Sequence, residues 1–275
     1  MGKDTKVEWC DHSWGPWRGG CDPRGLECTN CYARRDMKRY GHDPDVLVRS
    51  KTTFNDPLKW KEPARIFVCS WSDFFLQDAD PLRADAWDVM RRAAQHTYII
   101  PTKRPELIMD RLPDDWDDGW PNVWLLVSAG TQESFDKWWP ILRDVPAAVR
   151  GISIEPLLDS TMNIDDYFVK VTQVGYGPDN WASDYQDVEE KPDWVVIGGE
   201  SASLKDARRF PIDMAEEIVD LCDFTDTPVF VKQMGTRWAR ETSIQVDATP
   251  YQLGDRKGSK MEWWPEHLMV RQWPM

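Results

Sequence analysis

Three shortages bound what this chain does. Basic charge is the first: 34 lysines and arginines stand against 47 aspartates and glutamates, a net charge of −13 over 275 residues. That balance works against tight, sequence-independent grip on a phosphate backbone, which draws its free energy from clustered cations. Long apolar runs are the second. The chain opens on the polar stretch Met1-Gly2-Lys3-Asp4-Thr5-Lys6, and no run approaches the length of a signal or spanning helix. The expectation is a cytoplasmic protein with no membrane partner. In that compartment thiols stay reduced, and clustered cysteines ligate metal rather than pair as disulfides. The third shortage is local: a tight group of three cysteines has no obvious fourth beside it.

That group is Cys21, Cys28 and Cys31, in the glycine-rich stretch from Gly19 to Ala33. The Cys-x6-Cys-x2-Cys spacing lets loop sulfurs cap three irons of a cubane cluster while glycines let the backbone wrap closely around it. Three ligands leave one iron open, and an open metal position makes a reaction site where a closed set makes a carrier or a structural stud. Zinc is the competing occupant, with His12 or His42 as fourth ligand. Cys10 lies in a tryptophan-rich segment and reads as a packed thiol, although a closed four-cysteine set would need it. Cys69 and Cys222 sit in apolar runs, as core cysteines do.

The 41% of hydrophobic residues suffices for one barrel-sized core. Residues 6–10 alternate weakly and predict a first strand feeding the cysteine loop, and a helix follows from Tyr32 to Tyr40 with Gly41 at its end. Buried-strand runs recur at 65–69, 97–100, 123–127, 151–154, 194–197 and 229–231. Helical patterns separate them: one opening at Asp80-Pro81, a short one at 105–112, one at 134–142 containing Pro140, and one at 213–222. Residues 159–192 break the rhythm as an insertion, and the tail from Gly235 to Met275 reads as mostly loop. Strands alternating with helices predict an α/β fold, a single-domain parallel (β/α) barrel over 1–275, complete or partial and of TIM type. The cysteine loop and first βα unit take residues 6–42.

Nearly every predicted strand ends in polar groups, and in a parallel barrel those ends share one face, where barrel enzymes keep their chemistry. Ser70, Asp73, Ser128, Glu155, Glu200 and Lys232 are therefore expected to line one cavity that also faces the cysteine loop. Glu155 precedes Pro156 and Glu200 follows Gly198-Gly199, so both carboxylates sit on constrained backbone. Lys103, Arg104, Arg208 and Lys232 are candidates for binding carboxylate or phosphate. Most of the 17 tryptophans are expected to pack, with Trp71 placed to stack on a planar base.

The series Val7-Glu8-Trp9, Gly20-Cys21, Cys28-x2-Cys31-Tyr32-Ala33, Ser70-x-Ser72-Asp73, Thr102-Lys103-Arg104-Pro105, Asn122-Val123-Trp124-Leu125, Glu155-Pro156-Leu157-Leu158, Gly198-Gly199-Glu200-Ser201 and Lys232-Gln233-x-Gly235 resembles an uncharacterised phage-encoded family. That family in turn resembles the radical S-adenosylmethionine superfamily near the spore photoproduct lyases, through its early three-cysteine loop and barrel-like strands. The usual superfamily loop is Cys-x3-Cys-x2-Cys, and the first gap here is six residues. Gly198-Gly199-Glu200 is similar to the segment that holds the cofactor's methionine amino group, which in the superfamily follows the second strand. Ser70, Ser72 and Asp73 occupy that place here.

The resemblance implies a 4Fe-4S cluster on Cys21, Cys28 and Cys31, and S-adenosyl-L-methionine contacted by Ser70, Ser72, Asp73, Ser128, Gly198, Gly199 and Glu200. It implies Glu155, Glu200 and Lys232 as catalytic residues, and a reductant protein such as a flavodoxin or ferredoxin. A 5′-deoxyadenosyl radical would act on a nucleobase or nucleotide-type substrate in phage nucleic-acid modification, and the acidic balance fits a free nucleotide better than duplex DNA. The alternative is a zinc-stabilised, non-catalytic binding protein.

Overall fold

The computed structural model describes residues 2–175, 181–188, 190–245 and 254–275. In chain order its elements are β1 (His12–Trp14), β2 (Trp17–Arg18), α1 (Tyr32–Arg39), β3 (Val48–Arg49), β4 (Arg65–Val68), α2 (Asp80–Arg92), β5 (Thr97–Thr102), β6 (Val123–Ser128), α3 (Gln132–Arg143), β7 (Val149–Ile154), β8 (Val169–Gly175), β9 (Trp181–Asp187), β10 (Trp194–Gly198), α4 (Ile212–Phe224), β11 (Val229–Gln233) and α5 (Thr236–Gln245). Seven strands form one sheet in the order β1-β4-β5-β6-β7-β10-β11, and every neighbouring pair is parallel.

Alternate residues of each strand go to opposite faces. On the outer face Ile66, Val68, Tyr98, Ile100, Leu125, Ile152 and Ile197 join helix residues such as Met90, Phe135, Trp139 and Ile218 in the main core. On the inner face Ile99, Leu126, Val149, Trp194, Val196 and Phe230 close around Trp9 and Cys10. The Trp9 ring lies 4.8 Å from Phe67 on β4 and 6.2 Å from Trp194 on β10. Those strands are four spacings apart, about 19 Å in a flat sheet at roughly 4.8 Å per spacing, so the sheet must curl around the tryptophan. The result is a mixed α/β fold with a curled, seven-stranded parallel half-barrel, its outer face covered by helices. Trp273 donates its indole N–H to the Trp9 carbonyl at 3.1 Å, and residues 270–272 cover the β11 edge through Val231 N–H to Val270 O and Gln272 N–H to Val229 O.

Six of the seven expected strands form where the apolar runs lie. The seventh is displaced. Residues 6–10 make a turn closed by Cys10 N–H to Val7 O, and β1 begins two residues later. The weak alternation at 6–10 serves instead to drop Val7 and Trp9 into the half-barrel. At 105–112 the chain makes two single 3-10 turns, Pro105–Leu107 and Met109–Arg111. The expected helix at 134–142 runs longer, with Thr131 and Ser134 in a reciprocal cap and Pro140 inside. The 159–192 insertion carries the antiparallel hairpin β8–β9, with 176–180 and 189 outside the described residues. The tail holds α5 where loop was expected, and 246–253 also lie outside the described residues. No helix among the described residues is long and apolar enough to cross a membrane.

Candidate active site

The cysteine loop is tied off at its base. β2 pairs antiparallel with β3, so residues 19–47 leave the fold and return to it through a two-strand neck. Gly19 and Gly20 both take φ +71, and a Cβ on Gly19 would come within 2.2 Å of the Val46 carbonyl oxygen. Only glycine accepts both the left-handed backbone and that approach. The neck is stitched to the end of β4 by Gly19 N–H to Trp71 O at 2.9 Å and by the Ser72 hydroxyl to Gly19 O at 2.7 Å. Farther along, the buried Glu27 carboxylate accepts the Gly130 N–H at 2.9 Å, fixing the loop to the segment after β6.

Arg104 fixes the loop from the other side. It is 2% exposed and bonds the Asp22 carboxylate, the Asp22 carbonyl at 3.0 Å and the Cys21 sulfur at 3.6 Å, with Asp73 at 3.5 Å. Asp73 also accepts from the Thr102 hydroxyl at 2.8 Å, Phe75 N–H at 2.9 Å and Lys103 N–H at 3.0 Å. Arg104 and Asp73 thus form an internal clamp, which corrects the expectation of a ligand-binding arginine and a cavity-lining aspartate.

Cys21, Cys28 and Cys31 are free and partly exposed. Burial first, then the negative field of Asp73 and of the other two cysteines, pushes the Cys21 thiol up to about 11, against the pull of Arg104. The donor chemistry suits a thiophilic metal: three unpaired thiols sit on one loop, and a guanidinium donates to one sulfur as outer groups do to ligating thiolates. Among the described residues no three His, Cys, Asp or Glu side chains stand gathered as a ligating set. Cys10, Cys69 and Cys222 are buried as expected, and burial drives Cys10 up to about 12. His12 is buried against Trp60, with ring centroids 4.5 Å apart.

A 360 Å³ cavity opens at the carboxyl ends of the parallel strands, and Cys28 and Cys31 line it together with Ser70, Glu155, Gly199, Glu200 and Lys232. Glu155 and Glu200 therefore share one end of the sheet, as expected. Asp73, Ser72, Ser128 and Gly198 are not among the lining residues. Gly198 supplies space instead, since a Cβ there would lie 2.4 Å from Glu155 Oε1. Lys232 Nζ meets Glu155 Oε1 at 3.0 Å, and the Ser153 hydroxyl donates to Oε2 at 3.2 Å. Burial by itself would lower the Lys232 ammonium, but Glu155 and Glu8 outweigh it and hold the group above its ordinary value.

Glu200 is saturated. It accepts from Asn30 Nδ2 at 3.1 Å, Arg208 N–H at 2.9 Å and Arg208 Nε at 3.1 Å, with the Arg208 Nη2 beside its other oxygen. Burial opposes ionisation, yet Arg208 and Asn30 prevail and keep the carboxyl below the usual range. Its work is to bind the 200–208 segment to the cysteine loop, which also consumes Arg208.

Sequence reasoning missed Tyr32, whose hydroxyl donates to Ser70 O at 2.9 Å, and Lys257 at the rim. The turn pattern Gly254-Asp255-x-x-Gly258 was the available signal for the lysine, because Asp255 gathers the N–H groups of Lys257, Ser259 and Lys260. Trp71 does line the cavity, stacked on Tyr40 at 5.9 Å and 26°.

A parallel α/β half-barrel with a charged cavity at its strand ends and a tied-off three-thiol loop at the mouth is the class of protein these observations define. The chain belongs to the family described as Protein of unknown function (DUF5131), whose model matches residues 4–262. No curated protein and no solved structure matches it.

Proposed function

We propose that this protein is an iron-sulfur enzyme in which Cys21, Cys28 and Cys31 hold a 4Fe-4S cluster. The cavity beside them would take S-adenosyl-L-methionine and a small nucleobase- or nucleotide-type substrate. The observation that carries the reading is the placement of two free thiols of one glycine-necked loop in the wall of a cavity at the strand ends. Reductive cleavage of S-adenosylmethionine to a 5′-deoxyadenosyl radical is the chemistry that a cluster with one open iron supplies.

The chain's own residues have distinct tasks in this reading. Arg104 donates to the Cys21 sulfur and so stabilises it as thiolate. Glu155 keeps Lys232 protonated, giving the cavity a fixed donor that costs no reorganisation during the reaction. Glu200 ties the 200–208 segment to Asn30, between Cys28 and Cys31 in the cysteine loop. At 360 Å³ the cavity is at the small end of ligand sites, which run roughly 300–1,000 Å³, so bound ligands would displace its water and shelter a radical. Cys28 and Cys31 also line an outer groove with Lys38, which offers a cation to an acidic reductant such as a flavodoxin or ferredoxin in the cytoplasm, while Arg34 and Arg35 beside it are held by Asp45 and Asp36.

Anaerobic reconstitution tests the proposal. The expected product is brown and holds about four irons and four sulfides per chain. Cys21→Ala, Cys28→Ala and Cys31→Ala should each abolish it, and Cys10→Ala should not. A colourless protein with stoichiometric zinc would replace the enzyme by a zinc-stabilised binding protein.

A further inference from the structure

Four cationic and four anionic side chains line the cavity, yet they do not pair off one to one. Its carboxylates all have partners: Asp36 bonds Arg35 at 3.2 Å, Glu155 meets Lys232, Glu200 meets Arg208, and Glu27 accepts the Gly130 N–H. Two ammoniums in the same wall have no carboxylate within ion-pair distance among the described residues. They are Lys103, half-buried after β5, and Lys257 at the rim.

Both backbones are firmly held, so the side chains are presented by built structure. The Lys103 N–H is bonded to Asp73, while its neighbour Arg104 turns the other way into the cysteine-loop clamp. The Lys257 N–H is held by Asp255, and its carbonyl accepts the Gly235 N–H at 2.7 Å. Gly258 beside it, at φ +66, accepts the Met234 N–H at 2.8 Å. Burial and the nearby Lys232 ammonium hold Lys257 below its ordinary value, against the weaker fields of Glu8 and Glu155. An incoming anion would relieve that cost.

We propose that Lys103 and Lys257 form an anion subsite, and that the substrate carries a carboxylate or phosphate on a small body, a free mononucleotide or similar metabolite rather than a strand. The assignment rests on the enzyme reading only in calling this ligand the substrate. Size sets a bound: a cavity of 360 Å³ is at the small end of ligand sites and leaves no room for a ligand larger than a small molecule. Charge agrees as well: with Arg104 and Arg208 consumed internally and Lys232 held by Glu155, a protein at −13 offers this cavity no row of free cations to follow a phosphate backbone. Trp71 lies in the same wall as Lys103 and offers a ring face to a planar group.

Isothermal titration of the full-length protein tests the subsite with uridine 5′-monophosphate, uridine, inorganic phosphate, succinate and a thymidine 12-mer. The nucleotide should bind with Kd below about 1 mM, and uridine at least about tenfold more weakly. Phosphate binding ahead of succinate identifies a phosphate group as the ligand's anion, and the reverse order a carboxylate. Lys103→Gln and Lys257→Gln should each weaken the anion about tenfold, with iron content after reconstitution unchanged. The subsite is overturned if no anion binds in that range, if neither variant matters, if the variants weaken only S-adenosylmethionine, or if the oligonucleotide binds more tightly than the mononucleotide. Lysine-dependent anion binding by a protein that takes up no iron would keep the subsite and remove the iron-sulfur reading.

Discussion

Glu200 and Arg104 illustrate how charged residues at strand ends divide their labour. The Glu200 carboxyl titrates below its ordinary value of 4.5 in the folded chain, because its bonds to Arg208 and Asn30 outweigh burial. A depressed folded value adds stability above the unfolded value, and that stability is lost as pH falls through the folded one. Glu200→Gln should therefore cost about 2 kcal/mol at neutral pH. In urea titrations the gap from the parent should shrink as pH falls below the ordinary carboxyl value of 4.5 and the native carboxyl, held lower still, takes up its proton. A gap of constant size would mean that the carboxylate's charge plays no part. Lys103 and Arg104 show the limit of reading such residues from sequence. They are consecutive cations after the same strand, yet one lines the cavity and the other is locked between Asp22, Asp73 and Cys21. Their order and chemistry are visible in the sequence, whereas the carboxylates that claim Arg104 come from loops distant in the chain.

Among the elements, the neck of the cysteine loop is the most exposed to single substitutions. Gly19→Ala forces a side chain onto φ +71 and into the Val46 carbonyl. The backbone strain alone is worth about 1–2 kcal/mol, and the contact adds to it. The expected result is local: faster alkylation of Cys21, Cys28 and Cys31, with the far-ultraviolet spectrum of the sheet unchanged. Global unfolding at the same temperature would show that the neck also carries the half-barrel. The central strands were legible because burial on both faces makes them near-continuous apolar runs, as in Val123-Trp124-Leu125-Leu126-Val127. β1 was not, since His12-Ser13-Trp14 carries two polar residues and gains its place from pairing with β4. α5 was hidden too: Thr236–Gln245 is polar over most of its length and buries only a narrow face. At the site, the three thiols, Glu155 and Lys232 could be named from local pattern. Glu27 could not, because its partner Gly130 lies 103 residues away.

For the whole molecule, the half-barrel depends on what covers its open edge. Residues 270–272 hydrogen-bond along β11, and Trp273 holds Trp9 inside the curl. Ending the chain at Met269 should expose an unpaired strand edge, lower the melting temperature by about 5 °C or more, and produce concentration-dependent association in light scattering. A truncated protein that melts and sediments like the parent would show that the sheet closes without this cover. The two-strand neck has a different reach. The chain leaves the fold at Arg18 and re-enters at Val48 beside it, so the sheet's register does not depend on the path between them, while Asp22 and Glu27 tie that path to Arg104 and Gly130. The interval from Cys21 to Cys28 is therefore held near both ends, by Arg104 at Asp22 and by Gly130 at Glu27, so a residue inserted between them should displace the thiols before it disturbs the sheet.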